Sequence, residues 1–184
     1  MMALVTGGAA SGKSVFAERL ACSLSTQRTY LATMSRDGAG AQERIAKHRA
    51  QRRDGHFTTI ECAGSLVLDE ARRADAKGVA LLDDVGNLVS CALFPPTGAK
   101  AEASDVLARL DREFSSLAEQ FAHVVVVGNS VGAAGETFSD FSGEWARLVG
   151  SLCCCMAARC DCVVEVTAGM PLVVKGRLPD GGQL

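Results

Sequence analysis

The feature that most constrains this chain is a short glycine-rich segment near its beginning. Residues 7–14 read Gly-Gly-Ala-Ala-Ser-Gly-Lys-Ser, which fits the phosphate-loop pattern G-x-x-x-x-G-K-[ST]. The apolar run at 3–6 predicts a strand before it, and residues 15–20 predict a helix after it. In that context backbone N–H groups and a helix N-terminus face one anion. The segment therefore predicts nucleotide binding, in which Lys13 reaches the β- and γ-phosphates and the Ser14 hydroxyl binds Mg²⁺.

Apolar strand-like runs alternate with helical patterns along the rest of the chain. The helical pattern is clearest over 103–121, where Leu110, Phe114 and Leu117 recur at spacings of three and four. The run at 123–128 is apolar throughout, which is typical of a strand covered on both faces. The sequence thus predicts an α/β fold of the P-loop NTPase (RecA-like) type, with a mostly parallel central sheet between helices in three layers. The predicted strands are 3–6, 29–33, 57–61, 79–83, 123–128, 162–167 and 171–174.

Length, charge and hydropathy limit the possible partners. A chain of 184 residues predicts a single domain over 1–184, with a tail from about 177 that we expect to be frayed. A formal net charge of −2 gives no basic field for nucleic acid. No apolar run approaches the roughly 20 residues that a membrane span needs, and no signal peptide precedes the phosphate loop. We therefore expect a cytoplasmic protein without a nucleic-acid or membrane partner.

Eight cysteines are many for such a protein, and five of them fall within 153–162. Three consecutive cysteines on a helix point in directions about 100° apart, and no paired C-x-x-C spacing recurs. This argues against a metal site. We interpret the cysteines as small apolar residues of a buried helix and of the strand that follows it.

Two carboxylates, Asp83 and Asp84, stand at the end of a hydrophobic strand. A carboxylate in that position is the usual partner of a phosphate loop, because it holds Mg²⁺ opposite the loop hydroxyl. Asp83 is the better candidate for the metal. Asp84 is either a base that accepts a hydroxyl proton or a solvated loop residue.

A basic segment at 42–53 carries the third candidate group. If it is helical, Arg44, His48 and Arg52 lie on one stripe at i, i+4 and i+8. Neighbouring cations favour a neutral, nucleophilic imidazole, and the arginines could hold phosphate oxygens. The alternative is a solvated basic helix with an incidental histidine, which the spacing alone favours.

A series of short motifs from about residue 3 to 175 adds a resemblance to a known family. They are Leu4–Ser14, Tyr30-Leu31-Ala32-Thr33, Glu43-Arg44-Ile45-x-x-His48-Arg49, Thr59-Ile60-Glu61, Leu81-Leu82-Asp83, Val127-x-Asn129-x-Val131-Gly132 and Ala168-Gly169-Met170-Pro171. In order and spacing, the chain resembles the bifunctional adenosylcobinamide kinase / adenosylcobinamide-phosphate guanylyltransferase family of cobalamin assembly.

The resemblance implies two reactions and a set of residues. Enzymes of the family phosphorylate adenosylcobinamide with ATP or GTP, and then transfer GMP from GTP to that phosphate through a guanylylated histidine, which falls on His48. The family also implies Mg²⁺ and a homotrimer. Its nucleotide contacts fall on Gly7, Gly8, Ala9, Ala10, Ser11, Gly12, Lys13, Ser14, Thr33, Met34, Ser35, Arg49, Ala50, Gln51, Arg52, Glu61 and Asp83.

The chain also departs from the family pattern in its second half. The family's Cys-x-Thr after the strand carboxylate and its later Asn correspond to Asp84, Gly86 and Cys91, and its Asn-Glu-Val-Gly becomes Asn129-Ser130-Val131-Gly132. The family's Phe-Arg-Asp and Asn-Gln correspond to Trp145-Ala146-Arg147 and Cys153-Cys154. Two alternatives therefore stay open: a P-loop small-molecule kinase without a guanylyl step, and a non-catalytic nucleotide-binding relative.

Overall fold

A computed structural model of the protein describes residues 1–35, 55–69, 78–96, 98–131 and 140–179, apart from the side chains of 140 and 141. Within these ranges seven strands form one sheet. They are β1 (Met2–Thr6), β2 (Arg28–Ala32), β3 (Thr58–Glu61), β4 (Val79–Asp83), β5 (His123–Val127), β6 (Cys162–Thr167) and β7 (Met170–Lys175). The helices of the described ranges are α1 (Lys13–Leu24), α2 (Val85–Leu93), α3 (Ala103–Gln120) and α4 (Asp140–Arg159).

The strands lie in the order β3-β2-β4-β5-β1-β6-β7. All neighbours from β3 to β6 pair in parallel, and β7 pairs antiparallel with β6. The antiparallel pairing follows from the two-residue connection Ala168–Gly169, because a parallel crossover needs a dozen or more residues. The predicted mostly parallel sheet is confirmed, and each predicted strand is present to within two residues at either end.

Side chains that alternate along the strands build two cores. In β4, Ala80 and Leu82 pack in the core that α2, α3 and α4 cover, whereas Val79 and Leu81 pack in the core under α1. Neighbouring strands follow the same alternation, since successive residues of a strand point to opposite faces. The predicted three layers are therefore confirmed, and the central strands of the sheet are apolar on both faces because both faces are covered there.

The β7 strand differs from the other strands in its exposure. All six of its residues are exposed, including Leu172 and Val174 at 64% and 62%. It is the outer strand on the β6 side, and in the described part of the chain no further strand pairs with its other edge. Among the described helices, none combines the length and the apolar character required to cross a membrane.

Candidate active site

The phosphate-loop segment connects β1 to α1 at the carboxyl edge of the sheet. Gly12, with a φ of 92°, stands directly before α1, and its carbonyl accepts the Phe16 N–H at 3.0 Å. Lys13 is 9% exposed, and its ammonium donates to the Gly8 carbonyl at 3.0 Å. The Lys13 side chain therefore bonds back to the backbone of its own loop.

Close packing explains why the loop begins with glycine. A Cβ on Gly7 would lie 2.4 Å from the Val166 carbonyl oxygen and 2.6 Å from Ser11 Oγ. Ser11 Oγ is itself buried and has no hydrogen-bond partner in the described part of the chain. A tight glycine cradle with an unsatisfied buried hydroxyl fits an anion with several acceptor oxygens.

Oxygen ligands converge at the start of α1. The Ser14 hydroxyl donates to Asp83 Oδ1 at 3.5 Å, although β4 and β1 are separated in the sheet by β5. The other carboxylate oxygen, Oδ2, accepts the Tyr30 hydroxyl at 2.9 Å. A hydroxyl and a carboxylate are ligands of the kind that Mg²⁺ prefers, and the Tyr30 bond fixes the direction in which the carboxylate points.

Asp84 is part of a different arrangement from that of Asp83. Its Oδ1 accepts the Asn87 N–H at 2.7 Å and caps α2, and its Oδ2 accepts from Asn129 Nδ2 at 3.4 Å. A carboxylate is among the preferred caps of a helix N-terminus. Of the two alternatives for Asp84, the solvated loop residue does not fit, because the half-buried side chain is held by α2 and by Asn129 after β5.

The predicted residues after β2 and β3 lie at the same carboxyl edge, on the β4 side of the loop. Thr33 is fully buried, and its hydroxyl donates to the Asp84 carbonyl at 2.8 Å. Met34 and Ser35 follow it and are half-buried. Glu61, also half-buried, ends β3 opposite Ala32. The Thr33 hydroxyl thus links the end of β2 to the residue that follows β4.

The predicted residues of the basic segment lie outside the described residues. They are His48, Arg49, Ala50, Gln51 and Arg52, together with the stripe residue Arg44. The structure therefore describes the phosphate and metal side of the predicted site, and the histidine remains a prediction from the sequence.

Comparison with known proteins assigns the chain to a family. A model of the cobinamide kinase / cobinamide phosphate guanyltransferase family matches residues 3–174. This chain belongs to that family. The match spans the phosphate loop, Asp83 and the β6–β7 hairpin, so the resemblance inferred from the short motifs is confirmed.

Two curated relatives and one solved structure agree with this family. The bifunctional adenosylcobalamin biosynthesis protein CobP of Pseudomonas aeruginosa (strain PAO1) is 32% identical over 96% of this chain and 98% of the relative. The bifunctional adenosylcobalamin biosynthesis protein CobU of Escherichia coli (strain K12) is 32% identical over 95% of this chain and 100% of the relative. The ATPase domain of G40P has a TM-score of 0.58 at 13% identity, over 98% of this chain and 78% of that structure. The last likeness shows the fold alone, and it confirms the predicted P-loop class.

Two of the positions that depart from the family pattern make structural contacts in this family member. The Ser130 hydroxyl lies 3.0 Å from the Thr6 hydroxyl, and the Ser130 N–H donates to the Gly7 carbonyl at 3.2 Å. Trp145 Nε1 donates to the Gly86 carbonyl at 3.1 Å. These residues therefore tie the loop after β5, and helix α4, to the edge at which the phosphate loop lies.

The cysteines occupy environments that the sequence predicts only in part. Cys160 and Cys162 are buried as expected, whereas Cys154 is exposed, so the interpretation as buried apolar residues is wrong at that position. Burial raises the pKa of the Cys153 thiol to about 11, which keeps it protonated at neutral pH. No group of three or more His, Cys, Asp or Glu residues in the described ranges is arranged to hold a metal ion.

The hydrogen bond from Tyr30 to Asp83 is a contact of the site that the sequence did not predict. Tyr30 belongs to one of the family-like motifs, but nothing in that motif shows that its hydroxyl contacts Asp83. The available signal was its type, because it is the one tyrosine of the chain and stands in a buried strand. A buried tyrosine hydroxyl needs a polar partner, and the β2–β4 pairing supplies it.

Proposed function

We propose that this protein phosphorylates adenosylcobinamide with ATP or GTP and then transfers GMP from GTP to adenosylcobinamide-phosphate through a guanylylated His48. Membership of the cobinamide kinase / cobinamide phosphate guanyltransferase family supports both reactions. The observation that carries the proposal is the convergence of Ser14 and Asp83 at 3.5 Å beside a glycine cradle. The bifunctional names of the two relatives support the pairing of the activities in one chain.

The nucleotide's phosphates are held by the loop in this proposal. Backbone N–H groups of 8–14 and the ammonium of Lys13 neutralise the phosphate oxygens. Ser14 and Asp83 would hold Mg²⁺, which stabilises charge on the terminal phosphates when bound. The hydrogen bond from Tyr30 keeps Asp83 Oδ1 directed at Ser14, so the site is organised before the nucleotide arrives.

The two reactions differ in the phosphorus that is attacked. In the first, the substrate hydroxyl oxygen bonds to the γ-phosphorus, the β–γ bridging bond breaks, and the hydroxyl proton leaves to solvent. In the second, the neutral imidazole of His48 attacks the α-phosphorus of GTP and pyrophosphate leaves. The labile phosphoramidate then gives GMP to the substrate phosphate and regenerates the imidazole, so covalent catalysis replaces one hard step by two easier ones.

Labelling with GTP tests the proposal directly. Incubation with α-labelled GTP and Mg²⁺ should label the wild-type protein covalently and leave His48→Asn unlabelled. Lys13→Ala should weaken GTP binding, because it removes the cation that the loop holds in place. Label that persists in His48→Asn removes this histidine from the reaction, and kinase turnover without any label selects a small-molecule kinase without a guanylyl step. Tight GTP binding without turnover of adenosylcobinamide selects a non-catalytic relative.

The same proposal includes the setting in which the enzyme works. It places the protein in the cytoplasm, as a single domain over 1–184 that forms a homo-oligomer, with a trimer expected from the family. The mass of the particle in solution, measured by light scattering, tests the oligomeric state. A monomer at micromolar concentration would contradict it.

A further inference from the structure

The turn between β6 and β7 is fixed against the phosphate loop by backbone contacts. The Gly169 N–H donates to the Ser11 carbonyl at 2.8 Å. A Cβ on Gly12 would lie 3.3 Å from the Gly169 Cα. Ala168 and Gly169 both have positive φ angles, 50° and 79°, as a two-residue hairpin turn requires. The position of this turn relative to the loop therefore does not depend on a flexible side chain.

The metal ligands define the direction in which a nucleotide crosses the loop. Ser14 faces Asp83 of β4, and β4 lies on one side of β1, whereas β6 and β7 lie on the other. Ser14 and Asp83 would hold a metal on the β4 side, and the charge of that metal would attract the terminal phosphates of a phosphoryl donor to the same side. With the terminal phosphates on the β4 side, the nucleoside of that donor would extend towards the β6–β7 turn.

Two exposed apolar residues follow the contact between Gly12 and Gly169, one in each of the two segments that meet there. Val15 stands in the first turn of α1, directly after Ser14, and is 50% exposed. Pro171 is exposed and pairs with Val166, which packs in the core under α1. Because directly paired residues project from the same face of a sheet, Pro171 lies on the face that carries α1 and the phosphate loop.

We propose that Val15 and Pro171 form the subsite for the purine base of the phosphoryl donor. This inference rests on the proposed kinase function and adds to it a second nucleoside position, on the opposite side of the loop from Glu61. Residues 168–173 read Ala-Gly-Met-Pro-Leu-Val and carry no hydrogen-bonding side chain. The subsite therefore holds the base by apolar contact and accepts adenine and guanine alike, since every base has an apolar face.

Binding measurements with three probes isolate the contribution of the base. Dissociation constants for ATP, GTP and inorganic triphosphate, each with Mg²⁺, are measured by calorimetry. In the double variant Val15→Ser/Pro171→Ser, ATP and GTP should bind roughly tenfold more weakly, because the base loses apolar contact with both side chains. Inorganic triphosphate has no base, so its affinity should change less than about twofold. The control Leu172→Ser/Val174→Ser removes two equally exposed apolar residues from β7 and should leave all three affinities unchanged.

A gain of affinity provides the second test and does not depend on a destabilised variant. Pro171→Trp enlarges the apolar surface on the face of the loop and should tighten ATP and GTP binding several-fold, whereas Leu172→Trp should not, because Leu172 pairs with Glu165 on the opposite face. Equal changes for nucleotides and triphosphate, or no change in any, would overturn the subsite. If both double variants form smaller particles in solution without a change in nucleotide affinity, β7 contacts a second copy of the chain instead, and the subsite is overturned as well. A wild-type protein that binds none of the probes refutes the proposed function itself.

Discussion

Replacement of Gly7 by alanine is the most direct test of how the sheet shapes the phosphate loop. The added Cβ would lie 2.4 Å from the Val166 carbonyl oxygen and 2.6 Å from Ser11 Oγ. The serine side chain can rotate away, but the carbonyl belongs to β6, which pairs with β1 directly below the loop. The loop itself must therefore move outward, by about 1 Å if the contact is to reach an ordinary separation.

Overpacking of this kind costs about 1 to 3 kcal/mol of unfolding free energy. For a protein of this length, a cost of about 2 kcal/mol lowers Tm by about 4 to 8 °C. The displacement also moves the N–H groups that would face the phosphates, so Gly7→Ala should bind inorganic triphosphate more weakly. Calorimetric unfolding without nucleotide measures the first effect, and titration with triphosphate measures the second.

Gly8→Ala is the matched control, because a Cβ on Gly8 meets no atom within 4 Å. Here the substitution acts mainly on the unfolded chain and should raise stability by about 0.4 to 1 kcal/mol. A Tm of Gly7→Ala within 1 °C of the wild type would refute the steric argument. Equal destabilisation by both substitutions would refute it as well, since only one of them meets a backbone atom.

Two further predictions concern the carboxylates at the end of β4. Tyr30→Phe keeps the ring but removes the hydrogen bond to Asp83, so the Mg²⁺ concentration at which nucleotide binding is half-maximal should rise several-fold. The control Ser115→Ala removes a hydroxyl bond within α3 and should leave that concentration unchanged. An unchanged value in Tyr30→Phe would contradict the positioning role. Asp84→Ala removes the cap of α2 and should lower the free energy of unfolding by about 1 kcal/mol. Asp84→Asn should keep most of that stability, because asparagine caps a helix as well as aspartate does. Urea unfolding measures both variants, and an equal loss of stability in the two would contradict a capping role.

Much of the local structure could be predicted because it depends on neighbouring residues. The phosphate loop follows from eight consecutive residues, and the buried strands follow from uninterrupted apolar runs such as that of β5. Helix α3 follows from apolar spacings of three and four, with Leu110 and Phe114 fully buried on its inner face. The apolar run at 171–174 predicts the strand β7 but not its exposure, because a run of apolar residues does not show which strand lies at the edge of a sheet.

The fold class follows from the sequence alone, because its alternating strand and helix patterns are local. The phosphate loop and the carboxylate Asp83 are predictions from short segments of the same sequence. Only the tertiary structure decided which distant groups meet there. The strand order places Tyr30 beside Asp83, brings Asn129 to Asp84, and brings the β6–β7 turn, more than 150 residues away along the chain, onto the loop at Ser11. Periodicity and turn residues encode local conformation. The neighbours of a strand, by contrast, depend on how the apolar faces of all the strands and helices are buried together.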